Sequence, residues 1–239
     1  MSIKISYKKG IQEKLVKNYV LFANEDFRIN GLNKLPLGKQ SSQINKIIKS
    51  NYSKKKEFIF FNHNLDQKIV LIKIKNNQTS TENEKKGANF YNFVKSNILK
   101  NLTFFDVNIF ETQNKNKNFI DEFLHGIQIK SYEFNKYKTK KETRDITLNI
   151  VGNKNKPSSQ NQLKFQAIEQ GTFFARDLVS EPGNILHPDE YAKRLNSLKK
   201  DGLKVNIYDE KKLKKMGMHA LLGVGQGSIR GSYLVTMEW

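Results

Sequence analysis

Short apolar runs alternate with helix-like stretches through the first 150 residues of this 239-residue chain. The runs are rich in Ile, Val and Phe, which favour extended backbone, and polar residues bound them. They predict six strands, at Ile3–Tyr7, Tyr19–Ala23, Glu57–Asn62, Ile69–Ile74, Phe104–Ile109 and Ile146–Val151. Strands that alternate with helices are typical of an α/β layer fold with a central sheet.

Helical periodicity is present between several of these runs. Apolar residues recur every four positions within 85–100 and again within 117–130, which predicts two amphipathic helices. The polar stretch Asn76–Glu84 predicts an exposed loop. A second polar stretch, Gly152–Gln162, is the best position for a domain boundary, and we expect a protease to cut there first.

One helix is predicted directly after this boundary. Its proposed face has spacings of four, four, three and four, through Leu163, Ala167, Gly171, Phe174 and Leu178. Glycine inside a helix costs about 1 kcal/mol relative to alanine, so Gly171 is expected to permit a close backbone approach. Pro182 and Gly183 then end the helix.

The remaining residues predict a second, shorter alternation. The predicted elements are a helix from Pro188 to about Lys200, a strand at Lys204–Tyr208, a short helix capped by Asp209 and ending at Gly217, and a strand at Tyr233–Met237. The glycine-rich segment Gly223–Ser228 follows a helix and precedes a strand, which is the reverse of a phosphate-binding loop. A structural turn with positive φ is therefore expected there.

The chain carries a net charge of +19, with 42 basic and 23 acidic residues. Residues 1–150 hold 28 basic and 14 acidic residues, a surplus of +14. A basic domain of this kind can bind nucleic acid. Lysine outnumbers arginine 37 to 5, however, and this balance favours a solvated surface over forked phosphate contacts. Cysteine is absent, which fits a reducing cytoplasm, and no apolar run reaches membrane-spanning length.

Three blocks of the chain carry a family resemblance. The central block runs from Gln166 through Pro188 and continues as Tyr191-Ala192; within it, Ala175–Pro188 reads Ala-Arg-Asp-Leu-Val-Ser-Glu-Pro-Gly-Asn-Ile-Leu-His-Pro. It lies between the blocks Phe123–Lys138 and Leu213–Ser228. In content, order and spacing, these blocks resemble the leucine aminopeptidase (cytosol aminopeptidase) family over residues 117–239. The family consists of two-metal exopeptidases.

The resemblance implies an organisation in three parts. Residues 1–151 are expected to form a macro-domain-like N-terminal α/β domain, residues 152–183 a linker and connecting helix, and residues 184–239 the incomplete start of the α/β peptidase domain. Such an enzyme is implied to release N-terminal amino acids from peptides in the cytoplasm, as a homo-hexamer, with two divalent ions, zinc or manganese. Two adjacent ions can activate a bridging water for attack on the peptide.

The metal-holding stretches of that family, Gly-Lys-Gly…Phe-Asp-Thr-Gly-Gly and Asn-Thr-Asp-Ala-Glu-Gly-Arg, do not occur in this sequence. We therefore assign no catalytic, cofactor-binding or metal residue, and expect the chain to be a fragment that is inactive alone and binds no metal. The four histidines show no metal-binding spacing, and His187 is expected to cap a helix or contact solvent. The alternative is a basic DNA-binding or regulatory module acting through the N-terminal domain.

Overall fold

The computed structural model describes residues 3–51, 56–112, 118–140, 145–152 and 158–239. The chain divides into two compact units, Met1–Phe173 and Phe174–Trp239. Residues 153–157, in the middle of the predicted linker, lie outside the described ranges, as does residue 117 at the start of a predicted helix.

The first unit is a mixed α/β structure, as its sequence pattern predicts. Its elements are β1 (Ile3–Lys8), β2 (Asn18–Ala23), α1 (Ser41–Asn51), β3 (Phe58–Asn62), β4 (Lys68–Lys73), α2 (Ser80–Ser96), β5 (Asn101–Phe105), α3 (Asp106–Thr112), α4 (Phe119–Lys130), β6 (Ile146–Val151) and α5 (Ser159–Ser180), which continues into the second unit. The six strands form one sheet in the order β1-β6-β5-β2-β4-β3. All neighbouring pairs are parallel except β3 with β4.

Strand β2 shows that helices cover both faces of this sheet. All six of its residues are buried, as in parallel strands with helices above and below. Val20 and Phe22 belong to a core with residues of α2 and α4, whereas Tyr19 and Leu21 belong to a second core with residues of α1. Because successive side chains point to opposite faces, the two cores lie on opposite sides of the sheet.

Helices α2 and α4 touch through two glycines. A Cβ atom on Gly87 would lie 1.9 Å from the carbonyl oxygen of Phe123, and one on Gly126 would lie 1.9 Å from that of Glu84. Each glycine therefore faces the backbone of the other helix, where no larger residue fits. Helix α2 begins with a capping box, in which Thr79 and Glu82 each accept a backbone N–H of the other.

Asn108, a fully buried residue of α3, completes the hydrogen bonding of β2. The pairing of β2 with β5 ends at Val20. Beyond that point, Asn108 Oδ1 accepts the Phe22 N–H at 2.7 Å and its Nδ2 donates to the Phe22 carbonyl at 3.0 Å. A side-chain amide thus takes the place of a strand neighbour, because a carboxamide offers the same donor and acceptor as a peptide.

Two predictions for this unit are wrong, and one helix was missed. The strand predicted at Phe104–Ile109 ends at Phe105, because Asp106 begins α3 at the junction. The loop predicted at Asn76–Glu84 is helical from Ser80 onwards. Helix α1 was not predicted, although its buried residues Ile44 and Ile48 have helical spacing.

The apolar face predicted for α5 is only partly buried. Leu163 is 67% exposed, whereas Phe165 and Glu169 on another face are partly buried. Among the described residues, a Cβ on Gly171 would meet nothing within 4 Å outside its own helix, so Gly171 permits no close approach. Phe174 and Leu178 on the predicted face are also partly buried, so both faces of α5 carry partly buried side chains.

The second unit has its four predicted elements in order, and one further helix, at His219–Gly225, that the sequence pattern does not predict. After the end of α5 come α6 (Pro188–Asn196), β7 (Lys204–Tyr208), α7 (Glu210–Lys215), α8 (His219–Gly225) and β8 (Leu234–Glu238). Strands β7 and β8 pair antiparallel. Asp209 caps α7 by accepting the Lys212 N–H at 2.9 Å. In the described part of the chain, no helix is both long and apolar enough to cross a membrane.

Candidate functional site

The segment Ala175–Pro188 forms a helix, a tight turn and the start of a second helix. Helix α5 ends at Ser180, and the Pro182 carbonyl accepts the N–H groups of Ile185 and Leu186, both at 2.9 Å. Pro188 then occupies the first turn of α6, where its missing N–H is not needed. The sequence pattern predicted this arrangement.

An arginine fastens the turn to α6. Glu181, whose side chain is 1% exposed, accepts a hydrogen bond from Arg194 Nη1 at 2.9 Å. Arg194 Nε donates to Glu190 Oε1 at 3.0 Å, one helical turn away. Hydrogen bonding to Arg194 holds the pKa of Glu190 below its ordinary value, and the same bond raises the pKa of Arg194. The guanidinium is therefore engaged with two carboxylates and serves to hold the turn in place.

His187 lies at the N-cap position of α6, yet its ring makes no capping hydrogen bond. Nδ1 instead hydrogen-bonds to Asp189, and Arg230 Nη1 lies 3.6 Å from the other oxygen of that carboxylate. Burial favours a higher pKa for Asp189, but its own backbone N–H, His187 and Arg230 outweigh that effect and lower it. His187 thus occupies the N-cap position of α6, but its side chain bonds to Asp189 instead of capping the helix.

The glycine-rich segment Gly223–Ser228 differs from its prediction. Gly223 and Gly225 lie in α8, and neither they nor Gly227 has a positive φ. A Cβ on Gly225 would lie 2.1 Å from Ser232 Oγ, a side-chain hydroxyl that can rotate away. Neither a positive φ nor a backbone contact therefore requires glycine at this position.

No metal site is formed by the residues that the structure describes. Among them, no three or more His, Asp or Glu side chains are grouped so as to hold a metal ion. His63 lies in the turn between β3 and β4, and His125 is buried in α4 with Nδ1 2.8 Å from Glu84 Oε1. These residues do not fit a two-metal centre, and no step of metal chemistry is assigned to them.

A cleft in the first unit gathers polar side chains that sequence reasoning missed. It has a volume of about 380 Å³ and lies between β1, α4 and α5, within the size range of small-molecule sites. Asp121 is 7% exposed; its Oδ2 accepts a hydrogen bond from Asn161 at 3.0 Å, while Oδ1 is buried with no partner among the described residues. The sequence feature that could have indicated this cleft was a charged residue, Asp121, within the largely apolar helix Phe119–Lys130.

Burial raises the pKa values of three acidic groups in this cleft. Desolvation raises the pKa of Asp121, and the nearby charge of Glu122 adds to the rise although Asn161 opposes it. Desolvation also raises the pKa of Glu169, against the charge of His125. The pKa of Tyr7 is raised by burial and by the charge of Asp121. The carboxyl groups of Asp121 and Glu169 are therefore partly desolvated, and a bound cation would stabilise their charged forms.

Comparison with known proteins shows which family this α/β chain resembles. Residues 173–239 match the model of the cytosol aminopeptidase family, catalytic domain. The resemblance predicted from the three sequence blocks is thereby confirmed for this part of the chain.

Individual relatives agree with this match. The chain is 41% identical over 124 residues to a probable cytosol aminopeptidase of Agrobacterium fabrum, covering 49% of this chain and 25% of the relative. It is 40% identical over 126 residues to that of Phytoplasma mali, covering 50% and 25% respectively. The chain thus spans about a quarter of the length of the curated relatives it matches.

Solved structures share the fold. A tomato leucine aminopeptidase mutant matches with a TM-score of 0.72 and 21% identity, over 99% of this chain and 50% of the tomato chain. The bottromycin maturation enzyme BotP in complex with Mn matches with a TM-score of 0.67 and 14% identity, over 93% of this chain and 45% of BotP. These likenesses extend to the first unit, for which the sequence offered no specific match before residue 117.

Proposed function

We propose that this chain is part of a leucine aminopeptidase-like metalloenzyme that releases N-terminal amino acids from peptides. The observation that carries the proposal is the family match over residues 173–239, which contain the turn held by Glu181 and Arg194. The fold likeness of the whole chain to a leucine aminopeptidase mutant supports it. These matches favour a peptidase over the nucleic-acid-binding alternative for residues 1–150.

The finer properties of such an enzyme are proposals on the same basis. The parent enzyme uses two divalent ions, zinc or manganese, assembles as a homo-hexamer and acts in the cytoplasm. Residues 1–151 are its macro-domain-like N-terminal domain, residues 152–183 its linker and connecting helix, and residues 184–239 the start of its catalytic domain. The structure of BotP in complex with Mn, which shares the fold, supports manganese as one of the two candidates.

A hybrid enzyme tests this proposal. Residues 1–239 replace the corresponding part of the Phytoplasma mali relative, and release of p-nitroaniline from leucine p-nitroanilide is measured with manganese or zinc and after chelation. We expect metal-dependent release by the hybrid. The 239-residue chain alone is expected to release none, because its described residues hold no group suited to a metal ion.

Two neighbouring substitutions in α6 of the hybrid provide a test and its matched control. Arg194→Gln removes the guanidinium from Glu181 and should lower activity, whereas Lys193→Gln on the exposed side of the same helix should not. A hybrid that folds and assembles like the relative, yet releases no leucine with either metal, refutes the proposed function.

A further inference from the structure

The cleft between α4 and α5 is lined by acids in a strongly basic protein. Asp121, Glu169 and Tyr7 line it, and no lysine or arginine is among its described lining residues. The whole chain has a net charge of +19, so an acidic concavity runs against the rest of the surface. Charge of this sign selects a positively charged occupant.

The two helices that form the cleft run side by side in the same direction. Side-chain contacts join Asp121 to Asn161, His125 to Phe165 and Tyr132, just after α4, to Phe173. Residues later in α4 therefore contact residues later in α5. Glu169 lies eight residues after Asn161, which places it about 12 Å further along the axis than Asp121. The cleft therefore has one carboxylate towards each end.

Between these carboxylates the walls are apolar and amide. Ile5, Leu124 and Phe165 provide apolar surface, and Gln128, Gln162 and Gln166 provide carboxamide oxygens that accept hydrogen bonds. The face of Phe165 already attracts an ammonium group, since Lys164 Nζ lies 5.8 Å from the ring centroid. An aliphatic chain fits such walls, and charged ends fit the carboxylates.

Asp121 supplies the observation that points to a ligand. Its carboxyl is more than nine-tenths buried, and Oδ1 has no hydrogen-bond partner among the described residues. Buried carboxylate oxygens are normally satisfied, because an unpaired one loses its hydration without compensation. The hydroxyl of Tyr7, which feels the charge of Asp121, lies in the same cleft.

We propose that this cleft binds a small linear aliphatic diamine, with one ammonium group at Asp121 and Tyr7 and the other at Glu169. The methylene chain lies against Leu124 and Phe165. The site belongs to the first unit and is independent of the peptidase chemistry proposed for the second.

Calorimetric titration of the 239-residue chain tests this assignment with three matched probes: 1,6-diaminohexane, hexylamine and 6-aminohexanoate. We expect saturable one-to-one binding of the diamine at neutral pH and physiological ionic strength. Hexylamine should bind more weakly, because it leaves Glu169 unpaired. The carboxylate of 6-aminohexanoate would meet Glu169, so it should bind most weakly.

Two variants test which carboxylate binds each ammonium group of the diamine. Asp121→Asn keeps the shape of the side chain and should weaken diamine binding by about tenfold or more, as expected for loss of a charged hydrogen bond. Glu169→Gln should reduce the affinity for the diamine to that for hexylamine. Asp66→Asn, at an exposed carboxylate in the β3–β4 turn, should leave binding unchanged.

The proposal fails if the wild-type chain shows no saturable binding of the diamine, or if Asp121→Asn binds it as tightly as wild type. Equal affinity for diamine and hexylamine would overturn the role of Glu169. Should Asp121→Asn not fold, as judged by circular dichroism, the Glu169→Gln variant decides: retention of the preference for the diamine refutes the proposal, and its loss supports it.

Discussion

The contact between α2 and α4 makes Gly126, like Gly87, sensitive to any added side-chain atom. In Gly126→Ala, the added methyl would lie 1.9 Å from the Glu84 carbonyl oxygen and 2.7 Å from its carbonyl carbon. These are backbone atoms, so no rotamer change relieves the clash. To restore an ordinary contact of 3.4 Å, the two helices must separate locally by about 1.5 Å.

That separation affects the core that both helices share with the sheet. Inserting a methyl into a close-packed site typically costs about 1–3 kcal/mol. A gap of this width also forfeits a quarter to a half or more of the dispersion energy of the contacts it opens. We therefore expect Gly126→Ala to lower the free energy of unfolding by at least about 3 kcal/mol, which corresponds to a fall in Tm of about 6–12 °C for a unit of this size.

Gly171→Ala in α5 is the matched control. Among the described residues, its methyl would meet nothing within 4 Å outside its own helix, and alanine is the better helix former. It should stabilise the chain by about 0.5–1 kcal/mol. Thermal and urea unfolding of both variants, followed by circular dichroism, measure the difference. A Gly126→Ala protein that melts within about 2 °C of wild type would refute the argument from backbone contact.

Three further substitutions test other parts of the first unit. Asn108→Ala should lower the free energy of unfolding by about 2–4 kcal/mol in urea titrations, because it leaves the buried N–H and carbonyl of Phe22 unpaired. The folded-state pKa of Asp121 is raised, so its contribution to stability is present at acid pH and lost as the pH rises through that pKa. Asp121→Asn should therefore raise Tm at neutral pH but not below the unfolded-state pKa. An equal change in Tm at both pH values would contradict the raised pKa of Asp121. Thr79→Ala removes the side chain that accepts the Glu82 N–H and should cost about 1 kcal/mol, measured as a lower urea midpoint with unchanged slope.

The strands could be predicted from sequence because each is a short run rich in Ile, Val and Phe. Ile146–Val151 has its predicted bounds, although Thr147 and Asn149 interrupt its apolar residues. The prediction fails at Phe104–Ile109, because apolar residues lie on both sides of the junction between strand β5 and helix α3. Asp106, a polar residue at the junction, was the available sign of a helix start.

Polar networks were harder to predict than elements. The capping box of Thr79 and Glu82 was present in the sequence but lay within a stretch whose polarity resembled a loop. The roles of Asn108 and Asp121 depend on residues 86 and 40 positions away, and no local pattern reports such partners. The turn at Ala175–Pro188 was predictable because its proline, glycine and capping positions act on neighbouring residues.

Strand β1 joins the sheet through β6, and Ile3 is paired with Ile146. During synthesis at 5–20 residues per second, these partners are made about 7–30 s apart. Throughout that interval β1 is an unpaired strand with a free backbone edge, open to pairing with another nascent chain. Lys4 and Lys8 interrupt its apolar residues, and charges at such positions disfavour that pairing. Lys4 and Lys8 are therefore placed to disfavour pairing of β1 with another chain until β6 has been made.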